Sequence, residues 1–210
     1  MARRDRERRE LAKLDATPPW DQRRKHDDPA TVGPFDEKDA PEDAVARIDL
    51  GALRVPVADG QDVRLELNEQ REIIGVTVVA ASGQMQIGLY AAPRNEGIWD
   101  EVRAEIAESM ASQKGQPTER TDGVFGTELT GRLPGQDGGM VPMRLVGVNG
   151  PRWFLRAMII GPAAADAASG RAFEETFRGI IVARGTEPLP VRDAVPLRLP
   201  KDLNLPEDAQ

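Results

Sequence analysis

The stretch Ile73-Ile-Gly-Val-Thr-Val-Val-Ala-Ala-Ser-Gly-Gln-Met-Gln-Ile-Gly-Leu-Tyr90 decides the fold. Residues 73–80 are a β-branched run with apolar side chains on both faces, the pattern of a strand inside a sheet. Ser82-Gly83 marks a tight hairpin turn. Beyond it Met85, Ile87 and Leu89 alternate with Gln84, Gln86 and Gly88, so the chain returns as a second strand. After Pro93 the period changes. Ile98, Trp99, Val102, Ile106 and Met110 recur at helical spacing, with Asp100, Glu101, Arg103, Glu105 and Glu108 elsewhere on the wheel.

Upstream of the hairpin, residues 45–50 and 53–55 read as short strands about a turn at Gly51, and Val63, Leu65 and Leu67 alternate with Arg64, Glu66 and Asn68. Downstream, Phe125, Thr127 and Leu129 restore the strand period. The loop 133–139 leads to Met143, Leu145 and Val148, and residues 152–160 are the most apolar strand. A second helix follows an alanine-rich turn, with Phe173, Phe177, Ile180 and Ile181 at i, i+4, i+7 and i+8. Strands in runs, rather than alternating with helices, predict an α+β fold. The expected architecture is a mostly antiparallel sheet with two main helices packed on one face, burying Trp99, Ile106, Phe173 and Phe177 together.

The ends read differently. Residues 1–44 are expected to be a disordered, charged tail, with prolines at 18, 19, 29, 34 and 41 and too little apolar surface to offset ordering entropy. Residues 1–25 carry nine Lys/Arg against five acids, and residues 26–44 seven acids against Lys38. Such adjacent runs partly neutralise each other. Residues 45–185 read as one α+β domain and 186–210 as a Pro-rich extension. In that extension Val195, Leu197 and Leu199 stand two apart, so an extended chain turns all three toward the domain.

The single histidine, His26, lies in the charged tail, and there is no cysteine. The domain therefore offers neither imidazole nor thiol, which excludes Ser-His-Asp chemistry, thiolate nucleophiles and Cys/His metal sites. Carboxylate, Lys, Arg, Tyr and hydroxyl remain, in no spacing tied to a reaction. No metal and no cofactor is expected. No stretch approaches the roughly 20 apolar residues of a membrane span, and the arginine-rich start has no secretory apolar run. Absence of cysteine fits a reducing compartment, so the expected location is cytoplasmic.

The strings Gly33-Pro-Phe-Asp36, Asp49-Leu-Gly51, Ala91-Ala-Pro93 with Trp99, Gly150-Pro-Arg-Trp153 and Val182-Ala-Arg-Gly185 resemble an uncharacterised actinobacterial family, a domain of unknown function, over roughly residues 30–200. The resemblance implies a high-GC bacterial cytoplasmic protein and brings no catalytic residues with it. The strand feeding a last helix that ends Phe173-Glu-Glu-Thr-Phe-Arg-Gly179 is also similar to Mog1/PsbP-like sandwiches. That fold hosts binding and assembly factors rather than one chemistry, and a fold alone does not assign a function.

One candidate site stands on the apolar strand. Arg152, Phe154 and Arg156 fall on one side of it, two guanidiniums about an aromatic ring, suited to an anion or an acidic partner. The plainer alternative pairs Arg156 with a carboxylate such as Glu128. The tail arginines Arg3, Arg4, Arg6, Arg8 and Arg9 form a second, purely electrostatic candidate, for nucleic acid. Residues 135–139 have the composition of a phosphate loop but neither its spacing nor a following helix, and read as a hairpin loop. The expectation is a non-enzymatic binding or assembly module whose partner is another protein. The rivals are an enzyme of carboxylate, Lys or Ser chemistry acting on a small molecule, and a nucleic-acid-associated protein. Nothing in the sequence specifies an oligomeric state.

Overall fold

The computed structural model describes residues 33–199, apart from 95, 114, 136 and 137. The expected hairpin is its centre: β5 (Ile73–Ala80) and β6 (Gly83–Ala91) pair antiparallel with Ala80 opposite Gly83. Around them β4 (Asp62–Leu67), β7 (Thr118–Gly123), β8 (Gly126–Pro134), β9 (Met140–Gly150) and β10 (Trp153–Ile160) complete a seven-stranded sheet. Its order is β4-β5-β6-β10-β9-β8-β7, and every pairing is antiparallel. The α+β class, mostly antiparallel, holds.

A second, four-stranded sheet has the order β1-β11-β3-β2, made of β1 (Phe35–Asp36), β2 (Arg47–Asp49), β3 (Leu53–Pro56) and β11 (Ile181–Val182). It moves the expected start of the domain. Phe35 and Asp36, read as tail, pair in parallel with Ile181 and Val182, and Asp36 accepts the Trp153 indole N–H at 2.9 Å. That pairing spans most of the chain, so no local pattern announces it. Residues 1–32, with the five tail arginines, lie outside the described residues, as do residues 200–210.

The helices are α1 (Trp99–Ser112), the single turn α2 (Pro162–Ala165) and α3 (Ala167–Arg178). Their placement corrects the expectation of one shared face. Phe173 and Phe177 of α3 pack with Leu53, Val55, Val76, Ile87, Trp153 and Leu155, on the inner face of the large sheet and against the small one. Trp99 and Met110 of α1 pack instead with Leu129, Met143, Leu145 and Phe154. Trp153 and Phe154 are consecutive on one strand and point to opposite faces, so the two helices cover opposite faces. Both side chains are fully buried. The second helix is also shorter than its periodicity suggested. It ends at Arg178 with Gly179 as cap, and Ile181 belongs to β11.

The C-terminal segment is built into the large sheet between the ends of β5 and β6. Those strands pair only over Val76 to Ala80 of β5, and before Val76, where the β4–β5 register shifts at Glu66–Leu67, they part. Into the gap comes extended chain: Arg192 N–H donates to Ala91 O, Val195 N–H to Leu89 O and Leu197 N–H to Ile73 O. Val195 and Leu197 are buried in the core, whereas Leu199, expected beside them, is exposed.

Candidate functional site

The outer face of the large sheet changes character half-way across. One row in register runs Arg64, Thr77, Gln86, Met158, Leu145, Leu129 over β4, β5, β6, β10, β9 and β8. Leu145 and Leu129 are buried under α1, Met158 and Gln86 are half-buried, and Arg64 is exposed. The same strands carry Leu65, Val76, Ile87, Ala157 and Val146 on the inner face, apolar throughout. Alternation thus gives β4, β5, β6 and β10 an apolar inner face, while α1 requires an apolar outer face only beneath itself. α1 is set over β8 and β9 by Trp99, whose ring lies on Gly147 and whose indole N–H donates to Thr127 O at 2.7 Å. Asn149 Oδ1 accepts from the N–H groups of Ile98 and Trp99, capping α1 from the neighbouring strand.

At the border of the open half stands Arg156. Its neighbours across the strands are Gly88 and Gly147, which leave room above the backbone. Tyr90 fills that room over Gly88: a methyl group built on Gly88 would lie 2.6 Å from the Tyr90 hydroxyl. Arg156 Nη2 donates to this hydroxyl at 2.9 Å, and its guanidinium carbon lies 5.1 Å from the ring centre. Among the described residues neither Arg156 nor Arg64 has an ion-pair partner. Asp62 and Glu66 stand two residues to either side of Arg64 on the same face of β4, and Glu66 accepts the Thr77 hydroxyl.

The expected trio is only partly brought together. Phe154 and Arg156 share the outer face, but Phe154 is buried and stacks on Trp99 at 5.8 Å between ring centres. Arg152 is not on the strand. It stands in the β9–β10 turn, and its Nη2 reaches the carbonyl oxygens of Thr186 and Glu187 at 3.3 and 3.5 Å. The alternative pairing with Glu128 also fails, because Glu128 lies on the inner face. There it meets Arg144, with Arg144 Nε donating to Oε2 at 2.7 Å and Nη2 to Oε1 at 2.8 Å, and Glu174 of α3 closes the group at 2.5 Å. Burial alone would lower the Arg144 pKa; the hydrogen bonds to Glu128 and Glu174 outweigh it and hold the guanidinium protonated more firmly than usual. The residues sequence reading missed are Tyr90, Arg64 and Arg184. Tyr90 was within reach, since Gly88 two places before it marks a close approach.

Among the described residues no three or more His, Cys, Asp or Glu side chains are grouped to hold a metal ion, and no helix is long and apolar enough to cross a membrane. The adjacent acids Glu174 and Glu175 diverge: Glu174 is spent on Arg144.

Compared with known proteins, residues 33–205 match the family model described as "Protein of unknown function (DUF3710)". No curated protein matches the chain. Among solved structures, the solution structure of cyanobacterial PsbP (CyanoP) from Synechocystis sp. PCC 6803 is similar at 10% identity and a TM-score of 0.41, over 68% of this chain and 96% of that one.

Proposed function

The chain belongs to the family of proteins of unknown function (DUF3710), and we propose that it is a non-enzymatic binding module that takes an acidic segment of a partner protein on the open half of its outer sheet face. The observation that carries this reading is the state of Arg64 and Arg156. Both stand on the uncovered half of the face with no ion-pair partner among the described residues, in a chain with 35 acids to 28 Lys/Arg. An acidic segment lying across β4, β5 and β6 meets Arg64 at one side and Arg156 at the other, with the amides of Gln84 and Gln86 between them. Arg156 is held for this by the Tyr90 ring and hydroxyl, so little side-chain freedom is lost on binding.

The probe is a fluorescein-labelled decaglutamate peptide titrated with the full chain at low salt. A saturable rise in anisotropy is expected, weakened about tenfold or more in R156E, since a charge-assisted hydrogen bond becomes a repulsion. R120E, which removes an exposed arginine already paired with Asp122, is the control and leaves binding in place. Equal binding by R156E and the parent, or none by the parent, overturns the reading.

A further inference from the structure

A second arginine pair lies away from the open face, where the β9–β10 turn meets the chain leaving β11. The turn is Gly150-Pro151-Arg152-Trp153, with φ of 64° at Arg152. Proline followed by a left-handed residue is the shape of a type II turn, and glycine or asparagine ordinarily takes the second place. An arginine there keeps its side chain at the cost of backbone strain. Arg184 follows β11 by two residues, and its Nη1 donates to Glu187 O at 2.6 Å. Arg152 Nη2 reaches that same oxygen at 3.5 Å, so the nearest nitrogens of the two guanidiniums lie within about 6 Å.

The hydrogen bonds of both cations go to neutral carbonyls, and the Glu187 charge acts on Arg184 only from a distance. Neither has an ion-pair partner among the described residues. Among the described residues Arg184 Nε, which is buried, has no acceptor, and its Nη2 has none either. Nε is sealed from solvent, so Nη2 is the arm of this guanidinium open to an anion. Burial, and then the charge of Arg152, hold the Arg184 pKa below its ordinary value, the opposite of Arg144.

We infer that Arg152 and Arg184 together hold an oxyanion, a carboxylate or phosphate group, between Arg184 Nη2 and the Arg152 guanidinium. The site is independent of the open sheet face. An anion there supplies an acceptor to Arg184 Nη2 and relieves the repulsion between the two guanidiniums.

The test is nuclear magnetic resonance on the full chain with 15N-labelled arginine, the Arg184 Nε–H signal being assigned by its loss in R184Q. Inorganic phosphate and acetate are titrated separately. The expected result is a saturable shift of that signal; phosphate acting and acetate not identifies a phosphate site, and the reverse a carboxylate site. R152G separates binding from folding: glycine removes the strain at φ 64°, so the melting temperature does not fall, while the anion binds about tenfold more weakly. A signal that neither anion moves, or a titration unchanged in R152G, overturns the inference.

Discussion

The two halves of the outer sheet face treat positive charge in opposite ways. On the half that α1 covers, the helix's own Arg103 is buried and carries two acids, Glu119 at 2.7 Å and Asp100 at 2.9 Å, with Trp99 against its guanidinium. On the open half Arg156 has a phenol and Arg64 no ion-pair partner among the described residues. The inner face follows the first rule: Arg144, 4% exposed, has Glu128 and Glu174. Where packing buries a whole arginine, as at Arg103 and Arg144, carboxylates meet the guanidinium, as the cost of burying a bare charge demands. The open half is thus a place where the rule is relaxed, although the chain has acids in excess.

The sharpest way to break the comparison is to damage the covered half. Trp99→Ala removes a buried indole, its stacking on Phe154 and its bond to Thr127 O. Urea unfolding should show a loss of about 4 kcal/mol; a loss below about 1 kcal/mol would mean α1 is not held by this face. Glu128→Gln strips the inner-face arginine of one charge, and a loss of about 3 kcal/mol is expected because a buried cation is left underpaired. A near-neutral effect would show that water reaches Arg144.

How much of this was legible in the sequence follows from how local each signal is. The β5–β6 hairpin, the alternation in β4 and the helix at 98–110 are carried by neighbours in the chain and could be read directly. The face each helix covers could not. Trp153-Phe154-Leu155 is apolar on both sides, so β10 accepts a helix on either, and periodicity does not choose between them. Pairing of Arg144 rather than Arg156 with Glu128 depends on which residues share a face across two strands, hence on register. The two-residue strands β1 and β11 are too short to show a period at all. Of the candidate site, Arg156 was found from the sequence, and its actual partner Tyr90 was not, because they meet across strands 66 residues apart.

The C-terminal segment tests whether the gap between β5 and β6 is part of the fold or a loose fitting. Leu197→Ala should cost about 2 kcal/mol, the low end for a buried leucine in a segment near the described end. Hydrogen exchange at the Val195 and Leu197 amides should be slower than at Thr186 and faster than at Leu155. Exchange at Val195 as fast as at Thr186 would show the segment lifting off.

The smallest expected effect concerns α3. Asp166 caps it, its carboxylate accepting the Ser169 hydroxyl and N–H, and these bonds hold its pKa below the ordinary aspartate value. A lowered carboxylate pKa stabilises the fold at pH above the unfolded value near 4 and ceases to do so as pH falls through the folded one. Asp166→Asn should therefore narrow the stability difference between pH 6 and pH 3 slightly. An unchanged pH profile would show that the cap does not titrate with folding.

The most direct test of the account places a photo-crosslinking amino acid at Gln86, on the open half, and at Glu108, on the exposed side of α1, in the full chain in its native host. Irradiation should give a discrete protein adduct from position 86, absent from 108 and lost when R156E is added. No adduct from 86, or the same adduct with and without R156E, would contradict a binding role for this face.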